Sequence, residues 1–376
     1  MHVHVKRAMS LMGAGLVSTQ AMADWTINMP AGVTGTSNEI FSLHMTIFWI
    51  CVVIGIVVFG VMFWSIFAHR KSRGHKPAHF HEHTFVEILW TVVPLIILVI
   101  MAIPATATLI DMYDTSKPDI DIKITGYQWK WRYDYVDEKF GYFSNLSTPQ
   151  DQIDNRAAKG EHYLREVDNP LVVPVGKKIR LLLTANDVIH SWWVPEFGLK
   201  KDAIPGFINE AWTRVDKPGI YRGQCTELCG QNHGFMPVVV KAVPEEEYNT
   251  WVADQKAAAE KERELTSKDW TMDELMARGQ KKYETICAAC HQVDGGGMPP
   301  TFPALNGSAI ATGPVETHLH RVVYGVQGSA MQAFGKQLSE VDIASIVTYE
   351  RNAWGNKTGD MVTPKQVLDY KKQSSK

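Results

Sequence analysis

The sequence predicts a multi-domain membrane protein: a two-helix transmembrane hairpin, then a β-sandwich, then an all-α domain. Three observations carry this reading. Two apolar stretches occupy roughly residues 42–68 and 86–110, short alternating segments fill 119–243, and helical patterning surrounds a Gly/Pro-rich centre after about residue 270. At 376 residues the chain is too long for one ordinary domain.

The elements follow in chain order. Lys6 and Arg7, the apolar AMSLMGAGLV and the small-residue site AMA ending at Ala23 read as an export signal over residues 1–23. The mature chain is then expected to open near Asp24, outside a bacterial inner membrane. Residues 24–115 hold the hairpin, and each apolar stretch is long enough to cross a hydrocarbon core of ~30 Å. The loop between them, HRKSRGHKPAHFHEH, carries Arg70, Lys71, Arg73 and Lys76, which the positive-inside tendency assigns to the cytoplasm. Both ends of the hairpin therefore face the periplasm, as the export signal also requires.

Residues 116–245 form the expected sandwich domain, with runs such as DIDIKITGYQWKWRYDY, KKIRLLLTA and MPVVVKAV punctuated by Gly, Pro, Asn and Asp. The polar segment 144–169 reads as a long surface loop. Residues 246–269, charged and alanine-bearing, read as a helical linker, and 270–376 as the helical domain. With 38 Lys plus Arg against 40 Asp plus Glu, the net charge is -2, and nothing in this balance points to a nucleic-acid binder. Four of the five cysteines form tight pairs, Cys225 with Cys229 and Cys287 with Cys290, a distribution that suits cofactors better than a disulfide framework.

The first pair lies in CTELCGQNHGFM, residues 225–236. Gly230, Gly234 and Pro237 argue for a loop between two strands, free to wrap around an ion. Thiolate, imidazole and thioether are donors that suit copper, whereas Met is not an expected ligand of structural zinc. A single blue copper uses two His, one Cys and a weak Met, so this loop has one Cys too many. Two thiolates four residues apart can bridge two copper ions, each terminated by one imidazole. The second imidazole must come from elsewhere, and His190 in VIHSWWVPEFG, in an aromatic turn after IRLLLTA, is the natural source. Taken singly, the CxxxC pair also fits a disulfide and His190 a structural histidine. The combination with His233 and Met236 favours metal.

The second pair lies in CAACH, residues 287–291, the c-type heme attachment signature. Cys287 and Cys290 would carry the thioethers and His291 the proximal bond to iron. A thioredoxin-like CxxC is the competing reading, but no βαβ pattern surrounds the motif. A Met well downstream would complete the coordination, since His/Met ligation raises the reduction potential. Met331 in GSAMQAFGKQLSEVDIASIVTYERNAW is the choice and Met298 its rival. In GYQWKWRY, strand alternation puts Trp129 and Trp131 on one face, which alone reads as core. Glu87, at the start of the second apolar helix, reads alone as a helix-dipole partner.

HSWWVP followed by CTELCGQNHGFM resembles the binuclear CuA centre of the cytochrome c oxidase subunit II family, and the likeness spans about residues 1–250. It implies a cupredoxin-like sandwich in which Cys225 and Cys229 bridge two coppers and His190 and His233 bind one each. Met236 is then a weak ligand to one copper, and Glu227 supplies its backbone carbonyl to the other. The resemblance also implies that the Glu227 carboxylate binds magnesium at the boundary with subunit I, that electrons reach CuA by way of Trp129, and that Glu87 marks a proton-uptake path. The segment after Met331 resembles the last helix of class I cytochromes c. Together these imply a heme-copper oxidase subunit II with a fused C-terminal cytochrome c domain. Electrons would run from an external cytochrome c-type donor through heme c and CuA to subunit I, in a complex with subunit III. The oxygen-reducing site belongs to subunit I, because this chain has two membrane helices and no suitable intramembrane histidine set. A membrane-anchored copper carrier is the rival reading, and it has no reason to carry a covalent heme.

Overall fold

The computed structural model describes residues 28–373 apart from 31, 77, 78, 80, 327 and 330. The expected export signal, residues 1–23, lies outside the described residues. The chain divides into two compact units, Met1–Tyr248 and Asn249–Lys376.

The hairpin consists of α1 (Gly35–Ala68) and α2 (Thr84–Met112), both with a mean hydropathy of 2.7 over their most apolar window. Side chains all around them are apolar and exposed, as in a helix that meets lipid. α1 begins ahead of the apolar stretch because Thr34 and Ser37 form a capping box: Ser37 N–H donates to Thr34 Oγ1 at 3.0 Å, and Thr34 N–H to Ser37 Oγ at 3.0 Å. At 34 residues α1 is about 50 Å long, more than a bilayer core of ~30 Å requires. Its first turn meets the sandwich, where Val33 N–H donates to the Glu196 carbonyl at 3.1 Å and Thr34 Oγ1 to that of Phe197 at 3.0 Å. The end of α2 is held likewise, by Trp212 Nε1 donating to the Asp111 carbonyl at 2.9 Å. Hairpin and sandwich are thus tied together by hydrogen bonds at both outer helix ends.

The sandwich has ten strands: β1 (Ile120–Tyr127), β2 (Lys130–Tyr135), β3 (Phe140–Ser144), β4 (Leu171–Pro174), β5 (Ile179–Ala185), β6 (His190–Val194), β7 (Leu199–Ala203), β8 (Asn209–Thr213), β9 (Gly219–Cys225) and β10 (Pro237–Val243). One sheet runs β3-β2-β1-β5-β8 and the other β4-β10-β9-β6-β7. Two pairs are parallel, β1 with β5 and β4 with β10, and require crossovers rather than hairpins. Alternation places Ile122, Ile124, Ile179, Leu181 and Leu183 in the core. The segment 144–169 is a loop closed at its base by a Leu146 to Val167 bridge and by Asn145 N–H donating to Asp168 at 2.7 Å.

The expectation of one strand through GYQWKWRY, with Trp129 and Trp131 on one face, is overturned. β1 stops at Tyr127 and β2 starts at Lys130, antiparallel to it, with Gln128 and Trp129 forming the turn. Trp131 is buried, whereas Trp129 is only partly so. The reason lies in the phase of the alternation. The fully buried Ile122 and Ile124 are even-numbered and the fully buried Trp131, Tyr133 and Tyr135 odd-numbered, and the register that faces Ile124 with Tyr133 requires the chain to reverse between them.

A helix, α3 (Glu245–Ser267), crosses the boundary between units. The second unit continues with α4 (Met272–Ile286), α5 (Val315–Tyr324), α6 (Glu340–Asn352) and α7 (Pro364–Gln373). α4 and α6 pack closely at Gly279, where a Cβ would stand 2.0 Å from the Ser345 carbonyl oxygen. Leu319, Val322, Ile343, Val347, Val362 and Val367 form one core cluster. Tyr283 and Tyr349 form another, with Cys287 and Trp354 packed against it.

Candidate metal centre and heme site

The register of three strands assembles the first site. β9 and β10 pair with Gln224 opposite Pro237, so the intervening loop is closed at its base, and Cys225 N–H donates to the Met236 carbonyl at 2.9 Å. β6 lies on the other side of β9 with Trp192 opposite Cys225. His190, expected in a turn, is instead the first residue of β6 and fully buried, because the strand needed to reach Cys225 begins there.

Side chains from these strands form a chain of donors. His190 Nδ1 lies 4.0 Å from Cys225 Sγ, the two sulfurs are 3.7 Å apart, and Cys229 Sγ lies 3.5 Å from His233 Nδ1. The ligand atoms of His190, Cys225 and Cys229 all fall within 4.8 Å of one another, and the three residues are buried. His233 starts a short turn, His233–Phe235, and is partly exposed. The Glu227 carbonyl is 3.4 Å from Cys225 Sγ, while the residue as a whole is exposed. Met236 is buried at the head of β10.

The electrostatics favour a cation between the thiols. Burial disfavours ionising Cys225, but hydrogen bonds from His190 and from the Ser191 backbone outweigh it and bring this thiol down to about 7. Burial, and then the charge on Cys225, push Cys229 up to about 12. Two adjacent thiolates are thus unfavourable unless positive charge lies between them, which copper supplies. The 3.7 Å separation is well beyond the ~2.05 Å of a disulfide bond, and both cysteines are free. The donor set therefore fits a copper pair.

Asp187 and Gln128 were not singled out from the sequence. Asp187 Oδ1 accepts from His190 Nε2 at 2.8 Å and Oδ2 from Gln128 N–H at 2.8 Å. Trp129 Nε1 and Gln128 Nε2 donate to the Cys229 carbonyl, at 3.2 and 2.8 Å. Trp129 therefore touches the ligand loop through its indole edge. A carboxylate three residues before a histidine was the available signal for Asp187.

In the helical unit, CAACH occupies one helical turn, Ala288–His291. Cys287 and Cys290 are free and half-buried, and burial raises both thiols. His291 Nδ1 lies 3.0 Å from the Pro303 carbonyl, a bond that leaves Nε2 available to coordinate a metal. Two free thiols beside an imidazole oriented by a carbonyl fit covalent heme. Met331 is half-buried in a loop held by Val326 N–H donating to its carbonyl at 3.0 Å. The rival Met298 is exposed at 43%. Glu87 caps α2, its Oε1 accepting His83 N–H at 3.0 Å.

Comparison with known proteins gives matching family models along most of the chain. Residues 120–243 match the cytochrome c oxidase subunit II periplasmic domain, 22–107 its transmembrane domain, and 274–349 cbb3-type cytochrome c oxidase subunit III. The probable cytochrome c oxidase subunit 2 of Rickettsia prowazekii (strain Madrid E) is 39% identical over 247 residues, covering 65% of this chain and 77% of its own. That of Rickettsia bellii (strain RML369-C) is 37% identical over 259 residues, covering 68% and 95%. The crystal structure of the periplasmic domain of subunit II of cytochrome oxidase of Bradyrhizobium japonicum is 43% identical, covering 38% of this chain and 98% of that one, with a TM-score of 0.35. The hairpin is accordingly a two-span membrane anchor. The chain belongs to the cytochrome c oxidase subunit II family, a component of an oxidoreductase complex, and carries a cytochrome c domain fused behind the sandwich.

Proposed function

We propose that this chain brings electrons to a respiratory terminal oxidase in a bacterial inner membrane, with both redox domains on the periplasmic side. It takes them from an external cytochrome c-type donor and delivers them to subunit I, which reduces oxygen to water with proton translocation. Its two redox groups are heme c and binuclear CuA, each of which exchanges one electron at a time when bound. The carrying observation is the pair of thiols 3.7 Å apart, each with an imidazole beside it.

In this reading Cys225, Cys229, His190 and His233 would hold the copper pair as its main ligands, with Met236 and the Glu227 carbonyl as weak ones. His190 and Cys225 lie on strands, and the loop with the other donors is closed at its base by the β9–β10 pairing, a fixed frame that suits electron relay. Trp129 bonds to the Cys229 carbonyl and serves as the contact through which electrons arrive. Cys287 and Cys290 would attach heme c covalently, and His291 and Met331 are the residues that would bind its iron. The Glu227 carboxylate holds magnesium with groups of subunit I, and Glu87 takes up protons besides capping its helix. Subunit III completes the complex.

Electron paramagnetic resonance of the purified oxidase tests this. One unpaired electron shared by two copper nuclei is expected, together with heme that stays on this chain through denaturing electrophoresis. A mononuclear Cu(II) signal, or one metal ion per sandwich domain, overturns it. Trp129→Phe is expected to slow reduction of copper by the donor while leaving that signal unchanged.

A further inference from the structure

We propose that Asp187 is a positioning residue that locks the His190 ring to the turn carrying Trp129, so that copper ligands and electron-transfer side chain keep one geometry. The inference rests on the copper reading above. Asp187 lies between β5 and β6, and its two carboxylate oxygens bind different elements. Oδ1 accepts from His190 Nε2 at 2.8 Å and from Val188 N–H at 2.8 Å. Oδ2 accepts from Gln128 N–H at 2.8 Å, at the start of the turn between β1 and β2. The first bond places the imidazole proton on Nε2 and leaves Nδ1 facing Cys225.

From the same turn, Gln128 Nε2 and Trp129 Nε1 converge on the Cys229 carbonyl, at 2.8 and 3.2 Å. The connections therefore form a closed circuit: His190 to Asp187, Asp187 to Gln128, Gln128 and Trp129 to Cys229, and Cys229 back through Cys225 to His190. It joins β1 and β2 of one sheet to β6 and the ligand loop of the other. Two glycines make room for it. A Cβ on Gly126 would stand 2.7 Å from the His190 ring, and one on Gly230 would stand 2.9 Å from Gln128 Nε2. His190 is fully buried, and a charge-assisted bond to a buried imidazole is among the stronger kinds.

Asp187→Asn keeps the shape, removes the charge, and turns an N–H toward one of the two donors. In the copper-loaded oxidase its expected effects are three. The copper potential rises, because a less basic imidazole stabilises oxidised copper less. The hyperfine pattern changes, and electron arrival from the donor slows by roughly 10- to 100-fold. Asp187→Glu retains the carboxylate, so its potential should lie nearer to the unsubstituted value. Gln128→Ala removes the Nε2 bond to the Cys229 carbonyl but keeps the backbone N–H on Asp187 and the Trp129 bond, so it should slow electron arrival less than Asp187→Asn does, with the potential unchanged.

A wild-type spectrum, potential and rate in Asp187→Asn would overturn the proposal and leave Asp187 as a turn former acting through Val188 N–H. If Asp187→Asn fails to load copper, Asp187→Glu decides, and failure of the retained carboxylate to restore copper loading overturns the positioning role. Absence of the shared-copper signal in the unsubstituted oxidase sinks the functional reading instead, so the two failures are distinguishable.

Discussion

In the sandwich, His190 opens β6, Cys225 closes β9 and Met236 precedes β10, so backbone pairing sets the spacing of these three candidate ligands. In the helical unit, His291 ends a single turn and Met331 lies in a loop after α5, forty residues away along the chain. Helix packing around Gly279 and the Tyr283, Tyr349 and Trp354 cluster support Cys287 but leave Met331 to its own loop. In the reading proposed above, the contrast follows from the size of what each site would hold. Two small ions need donors a few ångströms apart, which strand register supplies. A broad planar group would instead take its iron ligands from segments distant along the chain.

The largest test of this contrast is to remove one anchor at a time. Cys225→Ser should abolish the shared-copper signal and cost more electron transfer than the roughly 10- to 100-fold typical of changes behind the ligands, with covalent heme retained. Cys287→Ser should weaken or remove the heme band on denaturing gels and leave the copper spectrum unchanged. Loss of both groups in either variant would break the idea of two separately built sites.

Matched glycine substitutions sharpen it. A Cβ on Gly223 would stand 1.7 Å from the Trp193 carbonyl oxygen, and one on Gly279 would stand 2.0 Å from that of Ser345. Each change to Ala should cost about 1–3 kcal/mol, read as a lower melting temperature. Gly223→Ala should also disturb the copper spectrum, because the backbone it pushes belongs to β6. Gly279→Ala should not.

The smallest effect concerns the start of α4. Thr271 caps the helix, and Thr271→Ala should cost about 1 kcal/mol in a chemical melt of the second unit. The Lys268 ammonium, followed by the Thr271 N–H and hydroxyl, holds the Glu274 carboxyl down at about 2, against an ordinary value of 4.5. Because the folded value is the depressed one, this stabilisation is complete above 4.5 and lost as pH falls toward about 2. Helix content followed over that window should decline less in Glu274→Gln than in the unsubstituted chain. An equal decline removes Glu274 from the account.

Much of this was legible in the sequence because the chemistry is local. CTELCGQNHGFM brings four donor side chains into twelve residues, and CAACH brings both thiols and the imidazole into five. The turn at Gln128 and Trp129 was also written there, in the phase shift between Ile124 and Trp131, but the alternation on either side masked it. The start of α1 at Gly35 depended on Thr34, whose capping partner lies three residues on and whose other contact is Phe197.

Sequence alone determined the two membrane helices, the strand-rich middle and the identity of the cysteines and histidines at both sites. These rest on hydropathy, periodicity and short-range spacing, which need no knowledge of distant neighbours. Tertiary structure alone decided that Asp187 joins His190 to Gln128, that Trp129 meets the Cys229 carbonyl, and that β1 runs parallel to β5. Those contacts link segments up to about a hundred residues apart, and only strand pairing within a sheet and the packing of one sheet on the other bring such groups within hydrogen-bonding distance.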